Sequence, residues 1–226
     1  MFRPINQYLD FLFKSGMKVG MITNGLGINH AIEKDLRNQL TWLRISSNTM
    51  DYKNFLHLPE DFKGTLGFSY CWTEGISTVE RMKEIQRIAL DNNVKYIRVV
   101  PDCLSDRERL ERQNDFLAPL AKELGHPFFY QRKDFGTPKN CYLAYWKPFL
   151  YCDGYVFPCS STVLNVDADR QFNEKYRWCH WRDIKRKYEE PVVSAVDTQM
   201  CDHCVFCPQN ALLEFALNAQ PMEEFF

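Results

Sequence analysis

The sequence lacks a surplus of charge of either sign and lacks any long apolar run. Its 226 residues carry 28 Lys and Arg against 29 Asp and Glu, which gives a formal net charge of −1. This balance argues against nucleic acid or a membrane surface as a general partner. No apolar stretch approaches the about 20 residues that a membrane-spanning helix requires, and no secretory signal peptide is evident. We therefore expect a cytoplasmic protein with no nucleic-acid partner and no membrane contact.

The sequence also lacks internal repeats, low-complexity tracts and the even cysteine count of a disulfide framework. Nine cysteines are present. In a reducing compartment, clustered cysteines bind a metal or take part in catalysis more readily than they form disulfides. Five of them form the motifs C-x12-G-x4-C and C-x2-C-x2-C, which comprise Cys141, Gly154 and Cys159, and then Cys201, Cys204 and Cys207. Thiolates gathered by short spacings usually indicate a bound metal or cluster.

The first 136 residues alternate between strand and helix patterns. Short apolar runs predict strands at residues 18–23, 41–46, 66–72 and 96–100, with helical periodicity between them. This alternation indicates parallel strands with helices packed outside. Ligands bind such sheets at the carboxyl ends of the strands.

Two capping boxes mark predicted helix starts in this part of the chain. Ser77 with Glu80, and Ser105 with Glu108, each place a hydroxyl three residues before a carboxylate, ahead of an apolar period. In the second of these helices we expect Pro119 to kink or break the chain. Proline lacks an amide hydrogen and clashes with the preceding turn.

The pattern changes after residue 136, and we predict a second, smaller domain at residues 137–226. Apolar runs flank Cys152-Asp153-Gly154, and Asp-Gly between apolar runs predicts a β-hairpin. A two-residue turn there would set Cys159 opposite Pro148 and not opposite Cys141. The chain before Pro148 must therefore bend back if Cys141 and Cys159 are to meet.

The C-x2-C spacing puts two sulfurs on one tight turn, so Cys201 and Cys204 are the firmest candidate ligands. Cys207 is a contender for one of their places. Cys141 and Cys159 would complete the set if the hairpin folds beside this turn. Four thiolates suit either a [4Fe–4S] cluster or a structural zinc ion.

The other cysteines are interpreted as structural. Cys152 lies beside the predicted turn and is more readily a bystander than a ligand. Free cysteine is among the most buried residue types, which favours small core positions for Cys71, Cys103 and Cys179. A zinc site at Cys179-His180 is the lesser alternative.

The hairpin phrase at residues 153–159 (DGYVFPC), together with the cysteine motifs, resembles the SPASM/twitch domain. That domain is the auxiliary-cluster module of radical S-adenosylmethionine enzymes and carries a similar DGxVxPC phrase. The longer cysteine series of its two-cluster form is missing here, so the single-cluster twitch form is the closer likeness. The resemblance implies an auxiliary [4Fe–4S] cluster held by Cys141, Cys159, Cys201 and Cys204, with Cys207 as the contender.

The first 136 residues resemble the partial (β/α) barrel of the same family. Residues 16–25 (GMKVGMITNG), 42–49 (WLRISSNT) and 96–101 (YIRVVP) are similar to the phrases of its third, fourth and a later strand. The resemblance implies an α/β fold: a truncated partial barrel of parallel strands, followed by a small domain of hairpin and helix that binds the cluster. It also assigns contacts with S-adenosylmethionine to Thr23, Asn24, Ser46 and Arg98. The alternative is that these polar groups at the strand ends bond only to backbone or water.

The chain departs from this family in one important respect. No C-x3-C-x2-C occurs in it, so the thiolates for a catalytic cluster are missing, as is a GGEP-like segment for the methionine amino group. Family order places both before the first residues of this chain, and we expect a barrel without its first two strands. Intact members cleave S-adenosylmethionine to a 5′-deoxyadenosyl radical that abstracts a substrate hydrogen. S-adenosylmethionine would bind here only if a partner chain or a longer gene product supplied the missing part.

Three hypotheses follow, and they leave open whether this chain is an enzyme. The favoured one is a radical S-adenosylmethionine family protein, as a fragment or a split subunit, that binds an auxiliary cluster. The others are a non-catalytic iron–sulfur scaffold or partner subunit, and a zinc-stabilised globular domain. A peptide or protein substrate is an analogy of architecture, and no residue identifies the substrate.

Overall fold

The computed structural model describes residues 4–102, 105–164, 176–198 and 204–219. The chain divides into two compact units, Met1–Lys133 and Asp134–Phe226. The first contains a parallel sheet and the second a small antiparallel sheet, so the fold is α/β. Among the described residues, none of the helices combines the length and the apolar character that crossing a membrane requires.

The first unit is built on five strands in the spatial order β1-β2-β3-β4-β5, with every neighbouring pair parallel. The strands are β1 Gly20–Thr23, β2 Trp42–Ser46, β3 Thr65–Trp72, β4 Tyr96–Pro101 and β5 Phe128–Tyr130. The helices described in this unit are α1 Ile5–Lys14, α2 Ile28–Ala31, α3 Lys34–Arg37, α4 Thr49–Lys53, α5 Val79–Asp91 and α6 Arg107–Leu124. The four predicted strands are confirmed to within two residues at each end, and β5 was not predicted.

One face of this sheet carries the hydrophobic core. Apolar side chains of α1, α4, α5 and α6 pack there against strand residues that are fully buried, including Leu43, Ile45, Phe68, Ile97 and Val99. Because side chains alternate along a strand, the core takes every second residue of each strand.

The opposite face, called the open face below, holds the residues between them. Its exposed or half-buried members are Ile22, Trp42, Arg44, Ser46, Thr65, Ser69, Cys71, Tyr96, Arg98 and Phe129. Phe129 is 44% exposed and Ile22 is 56% exposed. All-parallel sheets usually bury both faces, so this sheet is covered in an unusual, one-sided way within the described residues.

Both predicted helix caps are wrong by one residue. The N-cap of α5 is Thr78, whose hydroxyl accepts from the Arg81 amide at 3.1 Å, while the Ser77 hydroxyl accepts from the amide of Thr73 in the preceding turn. The N-cap of α6 is Asp106, which accepts from Arg109 N at 2.8 Å. In each case the residue with extended backbone dihedrals directly before the first helical turn takes the cap.

Of the two outcomes expected at Pro119, a kink or a break, the break does not occur. Helix α6 runs without interruption from Arg107 to Leu124 with Pro119 inside it. Leu117 and Leu120, on either side of the proline, are buried in the core of the first unit. Tertiary packing of this face outweighs the local cost of the proline.

The second unit contains a three-stranded antiparallel sheet in the order β6-β7-β8. Its strands are β6 Phe149–Leu150, β7 Tyr155–Phe157 and β8 Cys179–His180. The helices described are α7 Leu143–Trp146, α8 Ser161–Leu164, a 3₁₀ turn Trp181–Asp183, α9 Ile184–Glu189 and α10 Cys207–Asn218. The rings of Tyr145 and Tyr188 pack edge-on against Trp178, with centroids 5.1 and 5.5 Å away, and give this unit an aromatic core of its own.

Candidate functional site

The hairpin that carries Cys159 is present, with a turn of three residues. The Tyr151 amide donates to Tyr155 O at 2.9 Å, and the Gly154 amide donates to Tyr151 O at 3.1 Å. Gly154 has a φ of +87°, a value that glycine adopts without the steric cost of a Cβ. The predicted Asp153-Gly154 hairpin is confirmed, and the two-residue form of its turn is wrong because Cys152 also belongs to the loop.

Cys141 and Cys159 lie in the same apolar cluster. Both are buried, with 7% and 8% of their surface exposed, and Leu143 packs with them. Helix α7, which stands between Cys141 and β6, turns the chain back before Pro148. The expected bend therefore exists, and the two thiols reach one site from opposite ends of the hairpin segment.

Cys204 approaches the same site from the far end of the chain. It is 5% exposed and exchanges two backbone hydrogen bonds with Gly136, 3.0 and 3.1 Å long. Cys207 is the first residue of α10, and a Cβ added at Gly136 would lie only 2.8 Å from its Sγ. Cys201, the remaining predicted ligand, lies outside the described residues.

The pKa values show that these thiols are close enough to influence one another. Burial raises the pKa of Cys141 to about 11, and the neighbouring Cys159 and Cys204 groups raise it further. Burial also raises the pKa of Cys159, again with a contribution from Cys204. The pKa of Cys207 is raised by burial and then by Cys204. The thiolates of Cys159 and Cys204 thus oppose the ionisation of a neighbouring thiol, and a bound cation would relieve this repulsion.

A buried amide adjoins the thiol of Cys141. Asn210 in α10 is 1% exposed, and its Oδ1 accepts from the Tyr142 amide at 2.8 Å. Its Nδ2 is buried and has no hydrogen-bond partner by distance and angle within the described residues. This amide nevertheless favours the thiolate of Cys141 and opposes the rise of its pKa, which places Nδ2 on the sulfur side. Sequence analysis missed Asn210, because no spacing links it to the cysteine motifs.

A small cavity of about 50 Å³ opens beside Cys159. Its wall includes Lys147, Phe149, Ser160 and Phe206. In the part of the chain that the structure describes, no three His, Cys, Asp or Glu side chains form a closed site for a single metal ion. Cys201, the further predicted ligand, lies outside these residues.

Three other cysteines are described, and none of them belongs to this apolar cluster. Cys152 is exposed, and Cys71 and Cys179 are half-buried. The prediction that Cys71 and Cys179 are buried core residues is therefore wrong. Cys71 Sγ lies 3.7 Å from Pro101 O, across β3 and β4 of the first unit. Cys103 is outside the described residues.

The four residues assigned to S-adenosylmethionine contacts divide between two environments. Ser46 and Arg98 lie on the open face in one row, since each pairs with Ser69 of β3. Thr23 pairs with Ile45 and so lies on the face of the sheet that carries the core. Its hydroxyl accepts a hydrogen bond from Gly25 N at 3.1 Å. Asn24 Oδ1 accepts from the amide two residues further on at 3.0 Å.

Arg98 forms a hydrogen bond with a residue that follows the neighbouring strand, whereas Thr23 and Asn24 form hydrogen bonds within their own turn. Arg98 Nε donates to Gln131 Oε1, which follows β5. The bonds of Thr23 and Asn24 fix the turn after β1, as the alternative interpretation of these residues expects. The structure therefore aligns Ser46 and Arg98 in one row with Ser69 between them and leaves Thr23 and Asn24 at a separate turn.

Comparison with known proteins adds no relative to this picture. No protein-family model, no curated protein and no solved structure matches the chain. The interpretation of the site therefore depends on its own residues and their geometry.

Proposed function

We propose that the second unit binds a [4Fe–4S] cluster through Cys141, Cys159 and Cys204, with Cys201 or Cys207 as the fourth ligand. The observation that carries this proposal is that three buried thiols come from three separate segments, with Cys159 and Cys204 raising the pKa of Cys141 and Cys204 raising that of Cys159. Buried like charges are costly without a compensating cation. Iron–sulfur clusters supply such a cation and are held by four cysteine thiolates.

Two further features support a cluster at this position. The buried Nδ2 of Asn210 has no hydrogen-bond partner by distance and angle among the residues that the structure describes, and hydrogen bonds to sulfur tune the potentials of iron–sulfur clusters. A cavity of about 50 Å³ also opens beside one of these thiols, Cys159. When bound, such a cluster can transfer single electrons; the residues of this chain would hold it, shield it from water and donate a hydrogen bond to its sulfur ligands.

The first unit is proposed to be part of a (β/α) barrel of the radical S-adenosylmethionine family. The five parallel strands lie in sequential order, and the described helices pack on one face. A section of a barrel wall would have this arrangement, since a barrel has its helices outside and strand side chains inside. Ser46 and Arg98 lie on the face that would line the interior. The protein would then act with S-adenosylmethionine only together with a chain that carries C-x3-C-x2-C.

Metal and sulfide analysis of the full chain purified without oxygen tests this function. We expect about four iron and four sulfide per chain, with no zinc. Cys141→Ser, Cys159→Ser and Cys204→Ser should each lose most of the iron, whereas Cys152→Ser, which removes an exposed cysteine of the same unit, should retain it. About one zinc per chain with no sulfide would instead assign the site to structural zinc.

A second experiment separates the catalytic role from the scaffold role. The iron-loaded chain is incubated with S-adenosylmethionine and a one-electron reductant, alone and with a candidate partner that bears C-x3-C-x2-C. We expect 5′-deoxyadenosine only in the presence of the partner. Its formation by the chain alone would contradict the dependence on a second chain, and its absence in both mixtures would favour a non-catalytic scaffold.

A further inference from the structure

The open face carries a cavity at the amino-terminal ends of its central strands. The cavity has a volume of about 280 Å³ and is lined by Thr41, Trp42, Arg44, Thr65 and Tyr96. Trp42, Thr65 and Tyr96 are the first residues of β2, β3 and β4. The cavity therefore lies at the end of the sheet opposite to Ser46 and belongs wholly to the first unit.

Two glycines shape the floor of this cavity. A Cβ at Gly20 would overlap the ring of Trp42, and a Cβ at Gly67 would overlap the ring of Tyr96. Each aromatic ring therefore lies across a position where the neighbouring strand has no side chain. The result is a floor of two rings that lie close to the backbone of the neighbouring strand, with the Tyr96 ring also 5.7 Å from the ring of Phe129 between centroids.

Arg44 lines the same cavity as these rings and forms no ion pair with any residue that the structure describes. It pairs with Gly67 in the register of β2 and β3, and its guanidinium lies 5.8 Å from the centroid of the Trp42 ring. Its Nε is buried and makes no hydrogen bond within the described residues. No carboxylate is among the residues that line the cavity.

An arginine in this setting is costly unless an anion joins it. A buried donor without an acceptor loses the hydrogen bond it would make to water, and a partly desolvated cation without a counter-charge loses solvation free energy as well. The planar guanidinium matches the two oxygens of a carboxylate, and aromatic rings stack on planar groups.

We propose that this cavity binds a small organic carboxylate that has a planar apolar group. The carboxylate accepts from Arg44, the planar group lies on the rings of Trp42 and Tyr96, and the hydroxyls of Thr41 and Thr65 lie at the rim. A volume just below the range of typical small-molecule pockets limits the ligand to a few more atoms than benzoate. This site is separate from the cysteine site and does not depend on the cluster.

Fluorine NMR of the full chain, with 5-fluorotryptophan at its five tryptophans, tests the proposal. Trp42→Phe identifies the signal of Trp42. Benzoate is the probe, benzamide is the neutral control of the same shape, and inorganic phosphate is the control for an anion without a planar group. We expect benzoate to shift the Trp42 signal in a saturable way, and benzamide and phosphate to bind at least about tenfold more weakly.

Arg44→Gln should weaken benzoate binding about tenfold or more, because a charge-assisted hydrogen-bond pair is lost. Arg87→Gln removes the same charge from an exposed position of α5 and should leave binding unchanged. Unshifted signals of the other four tryptophans show that each variant is folded. Arg44→Lys keeps the charge without the planar guanidinium and should lose an intermediate amount of benzoate affinity. Equal affinity for benzoate and benzamide, equal affinity for phosphate, or equal effects of the two glutamine variants would each overturn the proposal.

Discussion

Gly136 and Cys204 exchange a pair of backbone hydrogen bonds, 68 positions apart in the chain. This pair fixes the start of the second unit against the segment that precedes α10. It places the Cys204 thiol beside Cys141 and Cys159, and it leaves the side chain of Cys207 directly over the Gly136 Cα. The cysteine site thus depends on a residue that carries no functional group.

We predict that Gly136→Ala displaces Cys207 and weakens the site. The new methyl group would lie 2.8 Å from both Cβ and Sγ of Cys207, and overpacking of this kind costs about 1–3 kcal/mol. Urea unfolding and iron content after anaerobic purification measure the effect. The neighbouring exposed change Thr137→Ala serves as the control, and equal iron content in the two variants would show that Cys207 and its surroundings are not part of the site.

The thiol of Cys141 should react slowly with iodoacetamide in the metal-free protein, with an unusual pH dependence. Alkylation requires the thiolate, and a pKa raised from 9.0 to about 11 lowers the thiolate fraction at pH 8 by about 100-fold. The rate should therefore continue to rise until the pH approaches about 11. Mass spectrometry of the labelled peptides gives the profile, and a midpoint near 9 would show that burial only blocks access and does not shift the pKa.

The two faces of the parallel sheet should respond differently to the same substitution. Phe68 in β3 is fully buried, and Phe129 in β5 is 44% exposed on the open face. Phe68→Ala should cost about 3–5 kcal/mol of unfolding free energy, as is typical of a core phenylalanine. Phe129→Ala should cost much less, and chemical denaturation of both variants decides this. A similar loss for the two would mean that the open face is covered in solution.

The start of α6 provides a matched pair of substitutions. Asp106→Ala removes the N-cap that accepts from Arg109 N and should destabilise the protein by about 1 kcal/mol. Ser105→Ala removes a buried hydroxyl that has no hydrogen-bond partner among the described residues, so stability should be unchanged or slightly higher. Thermal unfolding compares them, and a larger loss for Ser105→Ala would support the capping box expected from the sequence.

Local sequence patterns were sufficient to predict the positions of the strands, but not which sheet face is open or which residues cap the helices. The apolar runs around Ile45, Phe68 and Ile97 predicted β2, β3 and β4, because residues buried at the centre of a sheet are apolar whatever packs on them. They could not show that one face stays open, since Arg44 and Arg98 alternate with core residues in the same way in a covered sheet. The caps were misplaced by one residue because Ser, Thr and Asp are adjacent there, and only the backbone dihedrals select among them.

The cysteine spacings predicted which thiols could meet, but not the features that bring them together. Helix α7 supplies the bend before Pro148, and the Gly136–Cys204 pair brings in the last segment. Neither has a sequence signature, because a four-residue helix and an isolated bridge depend on tertiary contacts. Asn210 was missed for the same reason.

The packing of described helices on one face of the sheet also determines which strand positions tolerate substitution. In β3, even-numbered residues such as Phe68 and Tyr70 are fully buried and maintain the fold, whereas the odd-numbered Ser69 and Cys71 are half-buried on the open face. Related chains can therefore exchange the odd positions for new ligand chemistry while every even position stays apolar. Alternate positions of a single strand would then be under different constraints, one set by the fold and the other by the ligand.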